Sequence, residues 1–195
     1  MQLQFNYVDY EDPRVQARKC YEVCQKHGKP VLIMEPVKGG SLVNLPQKAL
    51  ELLPDGSPAS YAIRYAAGFP LVEVVLSGMS DLAQVTDNTG YMQDFKPLSD
   101  AEQEAIAQVR ALYQAQHKIP CTACSYCTDG CPAGIPIPDI FAQVNRSRGD
   151  NPVTPEAETI AKAADCLQCG QCEQVCPQHL RIPVLLAEIT KNFSK

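Results

Sequence analysis

Along the first half of the chain, hydrophobic and polar positions switch repeatedly between a period of two and a period near 3.6. Leu3, Phe5 and Tyr7 alternate with Gln2, Gln4 and Asn6, which predicts a first strand over 2–8. A helix follows, with Asp12 as N-cap, Pro13 in the first turn and Gly28 in the left-handed position past its end. Its inner face reads Ala17, Cys20, Tyr21 and Cys24. The apolar run Val31 to Met34 predicts a second strand, and the loop from Pro36 to Gly40 comes after it. A second helix is expected over 58–67 behind a Ser57 cap, a third strand over 73–76, and a helix starting near Asp81. The capping box Ser99-Asp100-Ala101-Glu102 opens the last helix of this half, which buries Ala105, Ile106, Val109, Leu112 and Tyr113.

Strand and helix in strict alternation imply right-handed parallel crossovers and an α/β architecture. Three strands leave a parallel sheet incomplete, and a closed eight-stranded α/β barrel needs about 250 residues. The expectation for residues 1–118 is therefore a partial (β/α) barrel, with Met1, at the very start of a strand, reading as an internal residue of a longer protein. Its open sheet edges are expected to make the isolated chain associate.

Composition narrows the class. The 195 residues carry 17 Lys+Arg against 22 Asp+Glu, a net charge of −5, and 45% are hydrophobic, which argues against disorder and against a strongly basic nucleic-acid binder. The longest apolar runs fall far short of the roughly 20 residues needed to span a bilayer, and neither end reads as a signal segment. A cytoplasmic protein with no nucleic-acid or membrane partner is expected. Ten cysteines change the picture, because eight of them lie between Cys121 and Cys176. In an intracellular chain such density points to metal ligation.

The cysteines form a duplication. Cys121, Cys124, Cys127 and Cys131 precede Pro132, and Cys166, Cys169, Cys172 and Cys176 precede Pro177, both as C-x2-C-x2-C-x3-C-P. The offset is 45 residues at every ligand (166−121, 169−124, 172−127, 176−131). It continues beyond them: Ile137-Pro138 matches Ile182-Pro183, Ile140-Phe141-Ala142 matches Leu185-Leu186-Ala187, and Val144 matches Ile189. Three thiolates two residues apart let one tight loop wrap three corners of a cubane, and the fourth corner must come from elsewhere. The cysteine before proline ligates the other cluster, because proline turns the chain away from its own loop. One [4Fe–4S] cluster is thus assigned to Cys121, Cys124, Cys127 and Cys176, the other to Cys166, Cys169, Cys172 and Cys131. Structural zinc would use two C-x2-C pairs per ion, with no role for a third cysteine or for the proline. A disulfide knot is the remaining alternative. Thr154-Pro155-Glu156 reads as a helix start before Ala157, Ile160, Ala161 and Ala164, so residues 119–195 are expected to form a mainly helical two-cluster ferredoxin-type domain.

Other candidates read as structural. Cys20 and Cys24 are expected to be buried small hydrophobes, and His27, His117 and His179 to be solvated. Tyr126 is expected to pack over its cluster and limit water access.

Gln2-Leu-Gln-Phe-Asn-Tyr, Met34-Glu35-Pro36-Val37-Lys38-Gly39-Gly40, and Ser77-Gly78-Met79-Ser80 with Gln84 and Asn88 together resemble the last three strands of the aldo/keto reductase barrel. The cysteine tail resembles the ferredoxin-type extension of that family's iron–sulfur subgroup. The two likenesses cover roughly residues 1–90 and 118–190. The resemblance implies a nicotinamide cofactor, NAD or NADP, at the C-terminal ends of the strands. Gln2 matches the glutamine that holds the carboxamide. Glu35, Pro36 and Val37 match the turn along the pyrophosphate, where Lys38 meets phosphate. Gly78, Ser80, Gln84 and Asn88 match the adenosine site. Met34 stands where a tyrosine usually stacks on the nicotinamide, and Ser80 where a basic residue often binds the 2′-phosphate. The family's catalytic residues lie on strands upstream of the match, so none is assigned.

The function implied is the C-terminal part of an oxidoreductase that couples nicotinamide chemistry to electron transfer through two clusters. Hydride carries two electrons and each cluster one, so a flavin or a redox partner protein is also implied. The alternatives are a non-enzymatic electron-transfer module and clusters that are purely structural.

Overall fold

The computed structural model describes residues 1–53, 55–148 and 152–193. The chain divides into two compact units, Met1–Ala115 and Gln116–Lys195.

In the first unit, β1 (Gln2–Gln4), α1 (Ala17–Lys26), β2 (Val31–Met34), α2 (Gln47–Leu50), α3 (Pro58–Ala67), β3 (Val72–Val75), α4 (Leu82–Gln93) and α5 (Asp100–Ala115) follow in order. The strands form one parallel sheet in the order β1-β2-β3, with Leu3 opposite Ile33. One face of the sheet is buried because Phe5, Val31 and Ile33 pack against Ala17, Tyr21 and Cys24 of α1 and Ala66 of α3. Aromatic edges lock this core, with Phe5 and Phe69 centroids 4.8 Å apart and Tyr21 and Phe69 5.2 Å apart. A second core joins α2, α3 and α5 through Leu42, Ala49, Tyr61, Ala62, Ile106 and Val109. The sheet found is mixed with helices and open, with three strands among the described residues.

The capping signals act as expected. Ser57 Oγ accepts from Ser60 N–H, Asp81 accepts from Gln84 N–H, and Ser99 and Glu102 exchange hydrogen bonds at the head of α5. Gly28 adopts φ +58° just past α1. In α5, Ile106 and Val109 are buried, while Ala105, Leu112 and Tyr113 are half-buried.

Four local expectations are corrected. The first strand ends at Gln4 rather than at residue 8, because Asn6 Oδ1 accepts from the backbone N–H of both Val8 and Asp9 and so turns the chain. Asp12 does not cap α1. Its carboxylate is held by the Arg14 backbone and guanidinium, and the helix starts after Gln16, whose φ is +56°. Cys20 is exposed while Ala17, Tyr21 and Cys24 are buried, since Cys20 lies about 60° round the helix from Ala17, at the edge of the stripe. The third strand runs Val72–Val75, one residue earlier than predicted.

The second unit is helical, with α6 (Tyr126–Asp129), α7 (Ile137–Ser147), α8 (Ala157–Ala161), α9 (Gln171–Gln174) and α10 (Ile182–Phe193). Its core stacks Ile137, Ile140, Phe141 and Val144 of α7 against Ile182, Leu186 and Ile189 of α10, with Ile160 and Ala163 alongside. Ala161 and Ala164 are exposed, because α8 tightens into a 3-10 turn over Lys162–Asp165 and brings Ala163 inward instead. Among the described residues no helix is long and apolar enough to cross a membrane.

Candidate metal centres

The duplication in the sequence is repeated in the backbone. Ala123 and Gln168 have φ of +55° and +54°, Ser125 and Gly170 +64° and +75°, Gly134 and His179 +60° and +51°, each pair 45 residues apart (168−123, 170−125, 179−134). Hydrogen bonds follow the same offset. Cys131 N–H donates to Thr128 C=O at 3.1 Å and Cys176 N–H to Glu173 C=O at 3.3 Å; Gly134 N–H donates to Cys131 C=O and His179 N–H to Cys176 C=O, both at 3.0 Å. The paired left-handed residues curl each C-x2-C-x2-C loop, and the turn after the fourth cysteine sends the chain into α7 or α10. A side chain in the left-handed region costs roughly 1–2 kcal/mol, so four of these six positions, Ala123, Ser125, Gln168 and His179, hold a strained conformation for the sake of the loop's shape, and glycine fills the other two.

The loops wall two hollows. The first is lined by Cys121, Cys124, Cys127 and Cys176, and is floored by Phe141, Leu180 and Ile182. The second is lined by Cys131, Cys166, Cys169 and Cys172, with Ile135, Ile137 and Leu186 behind them. Each hollow thus takes three cysteines from its own loop and the fourth from the other, the division that the proline turn predicts. Among the described residues no three His, Cys, Asp or Glu side chains are grouped to hold a single metal ion. The eight sulfurs are instead distributed around two spaces with apolar floors.

Burial, followed by the neighbouring Cys121, pushes the Cys127 thiol up to about 11. Burial likewise raises Cys121 and Cys172. Free thiols here resist ionisation at neutral pH, so a bound cation must supply the attraction that removes their protons. The first loop is tied down by Asn145, whose side chain accepts from Ile119 N–H at 2.7 Å and donates to Ile119 C=O at 2.8 Å. Asn145 and the floor residues Phe141 and Leu180 were not among the candidate site residues. Phe141 lies inside the repeated stretch after the cysteines, which is the signal that points to it, whereas nothing in the sequence marks Asn145.

Tyr126 is corrected. It is 62% exposed and is not among the residues lining the first hollow, because α6 starts at Tyr126 and turns its ring outward. His27, His117 and His179 are exposed.

The nine residues matched to a nicotinamide site lie in the first unit. Gln2 on β1 donates to Met34 Sδ at 3.4 Å. Glu35, Pro36, Val37 and Lys38 form the turn after β2, with Glu35 and Lys38 at φ +58° and +52°. Lys38 is corrected: its ammonium is buried and sits 2.5 Å from Asp9 Oδ1, so it is not directed at phosphate. The other Asp9 oxygen accepts from Gln4 and Asn6 side chains at 2.8 Å each. After β3, Gln84 Oε1 accepts from Ser80 N–H, Asn88 Nδ2 donates to Ser77 Oγ, and Gly78 has open space around it.

Residues 120–180 match the family model of the 4Fe-4S dicluster domain. The second unit therefore carries a ferredoxin-type dicluster domain, and iron–sulfur clusters are supported as its cofactors. No curated protein and no solved structure matches the chain. The match does not extend to residues 1–90, so the aldo/keto reductase resemblance is not supported by it.

Proposed function

We propose that the chain is a cytoplasmic one-electron carrier in which Cys121, Cys124, Cys127 and Cys176 hold one [4Fe–4S] cluster and Cys131, Cys166, Cys169 and Cys172 hold the other. The observation that carries this reading is the pair of hollows, each lined by four cysteines with the fourth exchanged between loops. When bound, such clusters take up and release one electron each. The chain's own residues supply the thiolates, an apolar floor of Ile137, Phe141, Ile182 and Leu186 behind them, and loops curled by left-handed residues, in the first of which Ala123 N–H lies 3.5 Å from Cys121 Sγ. The overall acidic charge favours a basic redox partner.

The experiment is anaerobic purification of the full chain with iron and sulfide analysis, then EPR after dithionite reduction. About eight irons per chain and coupled signals from two reduced clusters are expected. Zinc in their place, or a folded anaerobic protein without metal, overturns the reading. Clusters that resist reduction assign them a purely structural role.

A second reading places the same clusters in the C-terminal part of an aldo/keto reductase-like oxidoreductase, the first unit being the last three strand–helix units of a (β/α) barrel. It is favoured by the parallel β1-β2-β3 order, which brings the turn after β2 and the segment after β3 to one edge of the sheet. NAD or NADP would lie along Gln2, Glu35, Pro36, Val37, Gly78, Ser80, Gln84 and Asn88, with a flavin or partner protein splitting the electron pair. Saturable quenching in a titration with NADH and NADPH supports it, and its absence at millimolar cofactor ends it.

A further inference from the structure

The internal duplication lets one half of the second unit serve as a control for the other. Positions 45 residues apart take matching places around the two hollows, so a lining position that changes its chemistry marks a difference between the two centres. The floors agree in kind: Pro138, Phe141 and Leu180 at the first hollow correspond to Pro183, Leu186 and Ile135 at the second (183−138, 186−141, 180−135), and all six are apolar. The polar side chains do not agree.

Gln178 lines the first hollow and is only 8% exposed, whereas its counterpart at the second hollow is Ala133 (178−133). Half-buried Thr122 at the first corresponds to Leu167 at the second, 69% exposed (167−122). Ser125 corresponds to Gly170, but the serine hydroxyl donates to the Ala123 carbonyl at 3.4 Å and so braces its own loop. The first hollow thus has an amide and a hydroxyl in its wall where the second has only hydrocarbon. A carboxamide brings two N–H donors and a hydroxyl one, and donors to cluster sulfurs stabilise the more negative, reduced form and raise its potential. Charge runs the same way. Of the charged residues next in sequence to a lining residue, Asp139 and Arg181 cancel at the first hollow, while Asp165 and Glu173 add at the second. Burial works in the opposite direction but differs at one ligand pair alone: Cys127 is buried and Cys172 half-buried, Cys124 and Cys169 are both exposed, and the remaining four cysteines are half-buried.

We infer that the first hollow is the higher-potential centre of the pair and that Gln178 is the side chain that sets it apart from the second. The inference rests on the electron-transfer reading above for the clusters themselves, while the difference between the hollows comes from the chain's own residues. A chain carrying one added electron then holds it at the first centre, the second being oxidised as the first is reduced, with no proton or further reactant in the exchange.

The test uses the full chain with both clusters assembled, titrated anaerobically with dithionite and followed by EPR. Two distinct midpoint potentials are expected. Gln178→Ala, which gives the first hollow the side chain of the second, is expected to lower the higher midpoint by about tenfold in its reduction equilibrium, about 59 mV for one electron, and to leave the lower one within about twofold. Ala133→Gln is expected to raise the lower midpoint by a similar factor and to leave the higher one in place. About eight irons per chain in each variant show that a moved potential is not a lost cluster. Coincident midpoints in the unaltered chain, or a higher midpoint that Gln178→Ala leaves where it was, overturn the inference while the two reducible clusters stand. If Gln178→Ala costs the chain its iron, Ala133→Gln decides, and an unmoved lower midpoint overturns the inference. A chain without clusters, or with clusters that resist reduction, fails the electron-transfer reading and this inference with it.

Discussion

The two units are held together by different means. The first has an apolar interior closed by Phe5, Tyr21, Tyr65 and Phe69, with a buried knot of Asp9, Lys38, Asn6 and Gln4 beside the sheet. The second has a smaller interior of aliphatic side chains and Phe141, pressed between two cysteine-walled hollows. Small cores usually need a covalent or metal staple, whereas a core with several buried aromatics can stand alone. The difference predicts that the second unit depends on a group bound in its hollows to fold and that the first unit does not.

Removing the metal should produce the largest effect. A chelator under reducing conditions, or Cys127→Ser with Cys172→Ser, is expected to abolish the cooperative unfolding of the second unit. Limited proteolysis would then release a resistant fragment ending near residue 115, and equal resistance of both units would break the comparison.

Next in size is the knot of the first unit. Asp9→Ala leaves the Lys38 ammonium buried without its counter-charge and is expected to cost about 3–5 kcal/mol in denaturant unfolding, and the double variant Asp9→Ala/Lys38→Met to recover a large part of it. A cost for Asp9→Ala no larger than that of a surface substitution would show that the knot contributes little.

A smaller, pH-dependent effect comes from Glu102. Arg64 hydrogen bonds, at 2.7 and 3.2 Å, hold its carboxyl well below the usual range, at about 2. A depressed carboxylate stabilises the fold above its ordinary pKa, and that stabilisation is lost as pH falls toward 2. Both partners keep some solvent contact, so the loss is expected to be about 1 kcal/mol, and Glu102→Gln is expected to remove this component of the acid dependence. An unchanged acid profile in that variant would contradict it.

The smallest effect separates the two halves of the second unit. His179 stands in the left-handed conformation that Gly134 fills in the other half. His179→Gly is expected to raise the free energy of unfolding slightly, by about 0.5 kcal/mol in denaturant unfolding, because relief of the strained φ is partly offset by the greater freedom of glycine in the unfolded chain.

Much of this was legible in the residues themselves. The 45-residue offset announced both the loops and the apolar positions that floor them, since a repeated function needs a repeated shape. Ser57, Asp81 and Ser99 marked helix starts because a capping side chain acts within three residues of itself. What was not legible depended on contacts distant in sequence. Lys38 read as a phosphate ligand because nothing local shows Asp9 waiting 29 residues upstream. Asp12 had the chemistry of a cap, but Arg14 competed for its oxygens. Tyr126 sat between two ligands, yet the short α6 decided which way its ring points. Buried Gln143 accepts from Glu156 N–H at 2.7 Å, a contact with no signature at all, because an exposed glutamine and a gripping one look alike until the fold is known.

The exchange of Cys131 and Cys176 also sets an order of events during synthesis. The first hollow begins with Cys121 but lacks its fourth wall until Cys176 has been made, 55 residues later (176−121). The second loop needs Cys131, which is already waiting when Cys166 emerges from the ribosome. If each hollow holds a cluster, a nascent chain truncated between the loops carries no complete centre, and both centres are finished only once the second loop has been made.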